Sequence, residues 1–164
     1  MSQPIIPSVR KYLLTPPVTR SDVTGSLDLA ACAKLGFSAE DPAHPVENIL
    51  DDDRSSYWSS GRDNTTERLL VEFDAPQTLS RLVYEVQETR LARTQEIRVE
   101  LSQDSGRTYR GVLMQDYTFS PDGATLQRED LRLEAVAVTH LRVTIVPNKN
   151  GSGRATLTSL HLYP

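Results

Sequence analysis

At 164 residues, 38% of them hydrophobic and 24% charged, the chain is long enough to bury the core of one ordinary domain and lies outside the low-hydrophobicity, high-charge range of disordered sequences. Lys and Arg number 18 against 22 Asp and Glu, a formal charge of -4, so no net positive field draws a phosphate backbone and nucleic acid is not the expected partner. The single cysteine, Cys32, excludes an intramolecular disulfide and the paired-cysteine motifs of zinc ribbons and thiol redox sites.

Pro4, Pro7, Pro16 and Pro17 remove backbone donors and work against helices and central strands. Residues 1–25 therefore read as an extended arm, and Ile5, Ile6, Val9, Tyr12, Leu13 and Leu14 give it apolar side chains to lay on the domain surface. No charged segment followed by about 7–15 apolar residues opens the chain, so the expectation is a cytoplasmic location. No run approaches the ~18 apolar residues of a membrane span. Residues 26–164 read as one domain.

In that domain the β-rich runs are Leu27–Leu35, Arg68–Phe73, Leu79–Gln87, Gln95–Leu101, Gly111–Asp116, Ala124–Leu133, His140–Val146 and Thr156–Tyr163. Cys32 in the first run reads as a small buried hydrophobe. Ile97, Val99 and Leu101 alternate with charged residues, and Leu141, Val143 and Ile145 repeat the pattern, which puts each set on one face of a pleated strand. A phase slip between Leu157 and Leu160 suggests a bulge. Asp104-Ser105-Gly106, Pro121-Asp122-Gly123 and Asn148 to Gly153 are turn chemistry. About eight short strands without helical periodicity predict an all-β jelly-roll β-sandwich of antiparallel strands.

The most informative stretch is His44 to Ser60, in which Asn48-Ile49-Leu50-Asp51-Asp52-Asp53 is followed by Ser55-Ser56-Tyr57-Trp58. An apolar residue, an Asp-rich turn, a Ser or Thr, an aromatic and a Trp in this order resemble the discoidin family, the coagulation factor V/VIII C-terminal type domain, with Asp52 where a Gly is usual. The resemblance continues through Leu69 to Asp74, Leu79 to Tyr84, Val99 to Tyr109 and His140 to Ile145. It implies a galactose-binding-domain-like sandwich working as a binding module rather than an enzyme.

Three adjacent carboxylates repel one another unless a cation or water screens them. The resemblance implies a structural calcium held by Asn48 and Asp53 through backbone oxygens, Asp51 through its carboxylate and Ser56 through hydroxyl and carbonyl. Ser159 stands where the family usually supplies a Glu, and the other reading is a water-solvated turn in which Asp51 caps backbone N–H groups.

In carbohydrate-binding relatives the sugar lies across loops at one end of the sandwich. The candidates here are His44, Trp58, Arg62, Asn64, Arg90, Arg93, Asn148 and Asn150, with Trp58 reading first as a core aromatic and second as a ligand platform. Other relatives are subunits that bind proteins, so the alternative is a protein-interaction module acting through a sheet face or the arm. The histidines His44, His140 and His161 are scattered, and no nucleophile–base arrangement or paired carboxylate site is visible.

Overall fold

The computed structural model describes residues 25–164. The expected arm thus falls, apart from Gly25, outside the described residues. The elements are a helical turn α1 (Leu29–Cys32), β1 (Ala33–Phe37), a 3-10 turn (Val46–Leu50), β2 (Trp58–Asp63), β3 (Glu67–Gln87), β4 (Arg93–Ser102), β5 (Arg110–Phe119), β6 (Leu126–Val146), β7 (Arg154–Leu157) and β8 (Ser159–Tyr163).

The frame is the antiparallel pair of β3 and β6, each 21 residues long. Near its start β3 lies between β1 and residues 140–145 of β6; near its end, residues 81–85 lie between β8 and residues 128–132 of β6. The register slips between Glu72 and Arg81, and Pro76, which has no N–H to donate, sits in that gap. Here the ladder passes from one layer of the jelly roll to the other. One layer is completed by β4 on β6 and β5 on β4, giving the order β1-β3-β6-β4-β5, while β2 and β7 form a separate two-stranded ladder.

The alternating residues of β4 and β6 face inward as their spacing requires. Ile97, Val99, Leu101, Leu141, Val143 and Ile145 are all buried, each contributing about 1.5–3 kcal/mol relative to exposure. Tyr84 of β3 meets Tyr117 of β5 across the core, edge to face at 6.0 Å between centroids. Tyr117 donates to Glu129 Oε2 at 2.9 Å, so Tyr84 donates to the Tyr117 oxygen.

Several expectations change. The run Leu27–Leu35 is not one strand: Asp28 O accepts from the N–H groups of Ala31 and Cys32, closing a turn over Leu-Ala-Ala-Cys, a good helix-forming sequence. Cys32 is half-buried against the core. The runs on either side of residue 76 are one strand, as are those on either side of residue 137. The slip between Leu157 and Leu160 is a change of partner: β7 pairs with β2, β8 pairs with β3, and Thr158 N donates to Glu85 O between them. β2 falls outside the runs expected from the sequence.

Candidate functional site

One end of the sandwich carries a cleft of about 710 Å³, within the ~300–1,000 Å³ range of small-molecule sites. Three segments build it: the loop and strand from Asp41 to Asp63, the turn from Gln87 to Arg93, and residues 152–156.

The first wall is pinned to β2. Asp41 N donates to Ser59 O at 2.8 Å, and Ser59 N donates to His44 O at 3.1 Å. Gly61 makes this approach possible: its φ is +73°, and a Cβ there would lie 3.1 Å from Asp41 Cα. The wall presents His44 stacked on Tyr57, ring centroids 4.1 Å apart and planes 16° from parallel. Arg154 stands beside them with its Nε 3.5 Å from Asp63 Oδ1 and its Nη1 3.8 Å from Asp41 Oδ2.

The floor depends on Arg93. Its guanidinium donates to Gln95 Oε1, Pro147 O, Arg154 O and Thr156 Oγ1 at 2.6–3.0 Å. Its Nε lies 2.9 Å from Glu88 Oε1, off the axis of a true hydrogen bond. Burial lowers its pKa and Glu88 raises it, and an arginine stays charged throughout. Arg93 therefore knits the β4 start, the 88–92 turn and the 147–156 loop into one surface.

The expected ligand residues divide accordingly. His44 and Arg90 line the cleft and have accessible side chains, whereas Arg93 lines it as a brace. Trp58 is 0% exposed, and its indole N–H donates to Ala39 O at 3.1 Å, so it is a core residue and not a platform. Arg62 is held by buried Glu67 in a two-point ion pair at 2.7 and 3.1 Å. Asn64, at φ +58°, exchanges hydrogen bonds with Gly153. Asn148 Oδ1 accepts from Thr94 N and Asn150 N; these Asn residues shape loops, and Asn150 itself is exposed outside the cleft lining. Tyr57, Arg54, Asp41, Asp63 and Arg154 were missed. Tyr57 had a signal: adjacent aromatics in extended backbone face opposite ways, so a buried Trp58 turns Tyr57 outward.

Next to this wall is the Asp-rich loop. Asp51 Oδ1 accepts from Asp53 N at 2.8 Å, and Asn48 Nδ2 donates to Tyr57 O at 3.0 Å. Ser55 donates to Asp53 Oδ1 from its hydroxyl and its N–H, which holds the Asp53 carboxyl below the usual range. Asn48 is 6% exposed, and its Oδ1 has no hydrogen-bond partner among the described residues; the same holds for the buried Ser56 Oγ, and the Asp51 Oδ2 oxygen is buried with them. Such oxygens suit a hard cation, which replaces missing donors with one charge. Among the described residues no three His, Cys, Asp or Glu side chains converge as a metal site, so an ion here would draw on neutral oxygens as well as carboxylate. Ser159 is buried on β8 and lines a cavity with Asp52 and Asp53.

No curated protein matches the sequence significantly. Among solved structures, the chain superposes on the module CBM32-3 of a family 31 glycoside hydrolase from Clostridium perfringens with a TM-score of 0.63, at 19% identity, covering 85% of this chain and 94% of that one. CpGH89CBM32-5 from Clostridium perfringens, in complex with GalNAc-β-1,3-galactose, gives 0.57 at 13% identity over 80% and 95% of the two chains. The CBM32 of AlyQ, in complex with 4,5-unsaturated mannuronic acid, gives 0.58 at 17% over 80% and 95%. The F5/8 type C domain model matches residues 34–159; the chain belongs to the F5/8 type C, or discoidin, domain family.

Proposed function

We propose that the chain is a non-catalytic carbohydrate-binding module whose cleft takes a saccharide against the His44–Tyr57 stack. The observation that carries this reading is the meeting of that aromatic pair with Arg154, Asp41 and Asp63 in one ligand-sized cleft. An aromatic face packs on the C–H groups of a pyranose, while planar donors and carboxylates in fixed positions hydrogen-bond its hydroxyls. Solved relatives of the same fold that hold sugars support the reading. A protein-binding role would call for a broad apolar patch; among the described residues the exposed large apolar residues Phe37, Leu91, Met114 and Val136 sit on β1, the turn before β4, β5 and β6 respectively.

We propose further that Asn48, Asp51, Asp53 and Ser56 hold a calcium ion. It would supply charge to the buried oxygens of the loop and keep Arg54, Ser55 and Tyr57 in place as the cleft wall. No chemistry is asked of it.

Isothermal titration with galactose, GalNAc-β-1,3-galactose and mannuronate tests the sugar reading. Binding of one of them, weakened at least tenfold by Tyr57→Ala and by Arg154→Ala in folded variants, is the expected result. Absence of binding by all three to the native chain overturns it.

A further inference from the structure

A second cavity of about 510 Å³ lies over the outer face of β3 and β8, lined by Asp52, Glu85, Arg128, His161 and Tyr163 among others. It too falls in the size range of a small-molecule site, whereas the pocket at the far end of the sandwich, about 250 Å³, does not. Both large cavities are lined by Arg54. They also share the outward stripe of β3: Glu85 lines the second cavity and Gln87 the first, residues that strand geometry places roughly 6.6 Å apart, comparable to one pyranose unit.

Arg54 is the residue common to the linings of the two cavities. Arg54 engages Glu85 side-on, through Nε to Oε2 at 2.8 Å and Nη2 to Oε1 at 3.0 Å. This holds the guanidinium in one plane and leaves Nη1, which makes no hydrogen bond among the described residues, as an oriented donor. The side chain is 54% exposed, so a ligand spanning both cavities meets it directly. Asp52 is fixed to His161 at 3.0 Å on the second side, which anchors the loop that carries Arg54. The second cavity offers hydrogen-bonding groups of both signs and one aromatic ring, Tyr163, which Arg81 covers at 4.8 Å.

We infer that the two cavities form one trough for an oligosaccharide, with one unit on the His44–Tyr57 stack, another over the Asp52–Tyr163 cavity, and Arg54 Nη1 bridging them. The inference rests on the carbohydrate reading and adds that the ligand class is a chain of sugars, not a lone terminal residue.

The test compares galactose, galacturonate and mannuronate with their own trisaccharides by titration calorimetry. For at least one pair the trisaccharide should bind at least tenfold more tightly than the monosaccharide. Only the trisaccharide should shift the amide resonances of Asp52, His161 and Tyr163. Arg54→Ala, and less fully Arg54→Lys, should bring the trisaccharide-to-monosaccharide affinity ratio toward one, with thermal unfolding showing that both variants are folded. A monosaccharide that binds without any gain for its trisaccharide overturns the trough and leaves the sugar reading standing. A gain that survives Arg54→Ala overturns the bridging role. If neither form of any sugar binds, both readings fall.

Discussion

The two ends of β4 carry contrasting turns. At its far end, the Asp104 turn satisfies itself: Asp104 Oδ1 accepts from Ser102 Oγ and Thr108 N, Oδ2 accepts from Thr108 Oγ1, and Ser102 Oγ accepts from Gly106 N. Ser105 and Gly106 take the positive φ that closes it. At the cleft end, loops stand on a buried guanidinium, and the Asp-rich loop buries Asn48 Oδ1 and Ser56 Oγ without hydrogen-bond partners among the described residues. Both regions are rich in Asp, Ser and turn residues, so composition does not separate them. The difference lies in whether the buried side-chain oxygens find hydrogen-bond partners among the described residues, and the loop in which two of them do not is the one proposed to take calcium.

The largest test of this contrast removes Arg93. Its partners are three acceptors, one on β4, one at the start of β7 and one in the loop between β6 and β7, with Thr156 and Glu88 besides. Taking one member from a buried charge pair costs about 3–5 kcal/mol. Arg93→Ala should therefore lower the free energy of urea unfolding by that order, and Arg93→Lys should recover only part, because an ammonium cannot reach forked acceptors.

Calcium comes next. If the cation completes the Asp-rich loop, calcium at about 100 times its dissociation constant adds about 2.7 kcal/mol to stability, and a chelator removes it. Asp51→Ala should abolish that shift. Asp104→Asn should leave it intact, since the far turn has nothing for the ion to complete. An equal shift in native chain and Asp51→Ala would dissolve the distinction between the two turns.

Gly61→Ala addresses the cleft wall by backbone alone. A side chain at φ +73°, with its Cβ 3.1 Å from Asp41, should cost roughly 1–2 kcal/mol. It should also displace the Asp41–His44 turn, read as changed His44 ring resonances.

These sites were unevenly legible in the sequence. Alternation exposed the inward faces of β4 and β6, because a period of two is a property of neighbouring residues. The motif from Asn48 to Trp58 located the loop, and Asp104-Ser105-Gly106 located the far turn. What could not be read was pairing between distant segments. Nothing adjacent to Arg93 reveals Pro147 O and Arg154 O waiting beneath it, so a buried brace looks like a surface cation. Arg62 misleads in the same way, because its partner Glu67 is buried only once β3 is in place. β2 was hidden because its partner β7 lies about a hundred residues away and its sequence, Trp-Ser-Ser-Gly-Arg-Asp, has one apolar residue to mark a face.

The smallest effect should come from Asp104 itself. Its hydrogen bonds from Thr108, first through the hydroxyl and then the backbone, with Ser102 adding a third, lower its pKa from the ordinary 3.8 to about 2. A carboxyl that is more acidic in the folded than in the unfolded chain contributes stability above the unfolded value, and that contribution fades as pH falls through the folded value. Asp130, held at about 2 by Arg81, fades over the same range, so the native curve alone does not isolate the turn. The difference between native chain and Asp104→Asn does, since Asp130 is common to both. That difference should be full near pH 5 and shrink steadily toward pH 2 in urea unfolding. Asn keeps an acceptor for Thr108 N but puts an NH2 donor where Oδ2 accepts from Thr108 Oγ1, so it is the pH-dependent part of the difference, and not its whole, that reports the charge. A difference that stays constant over the range would mean that the far turn is closed by its geometry and owes nothing to its carboxylate.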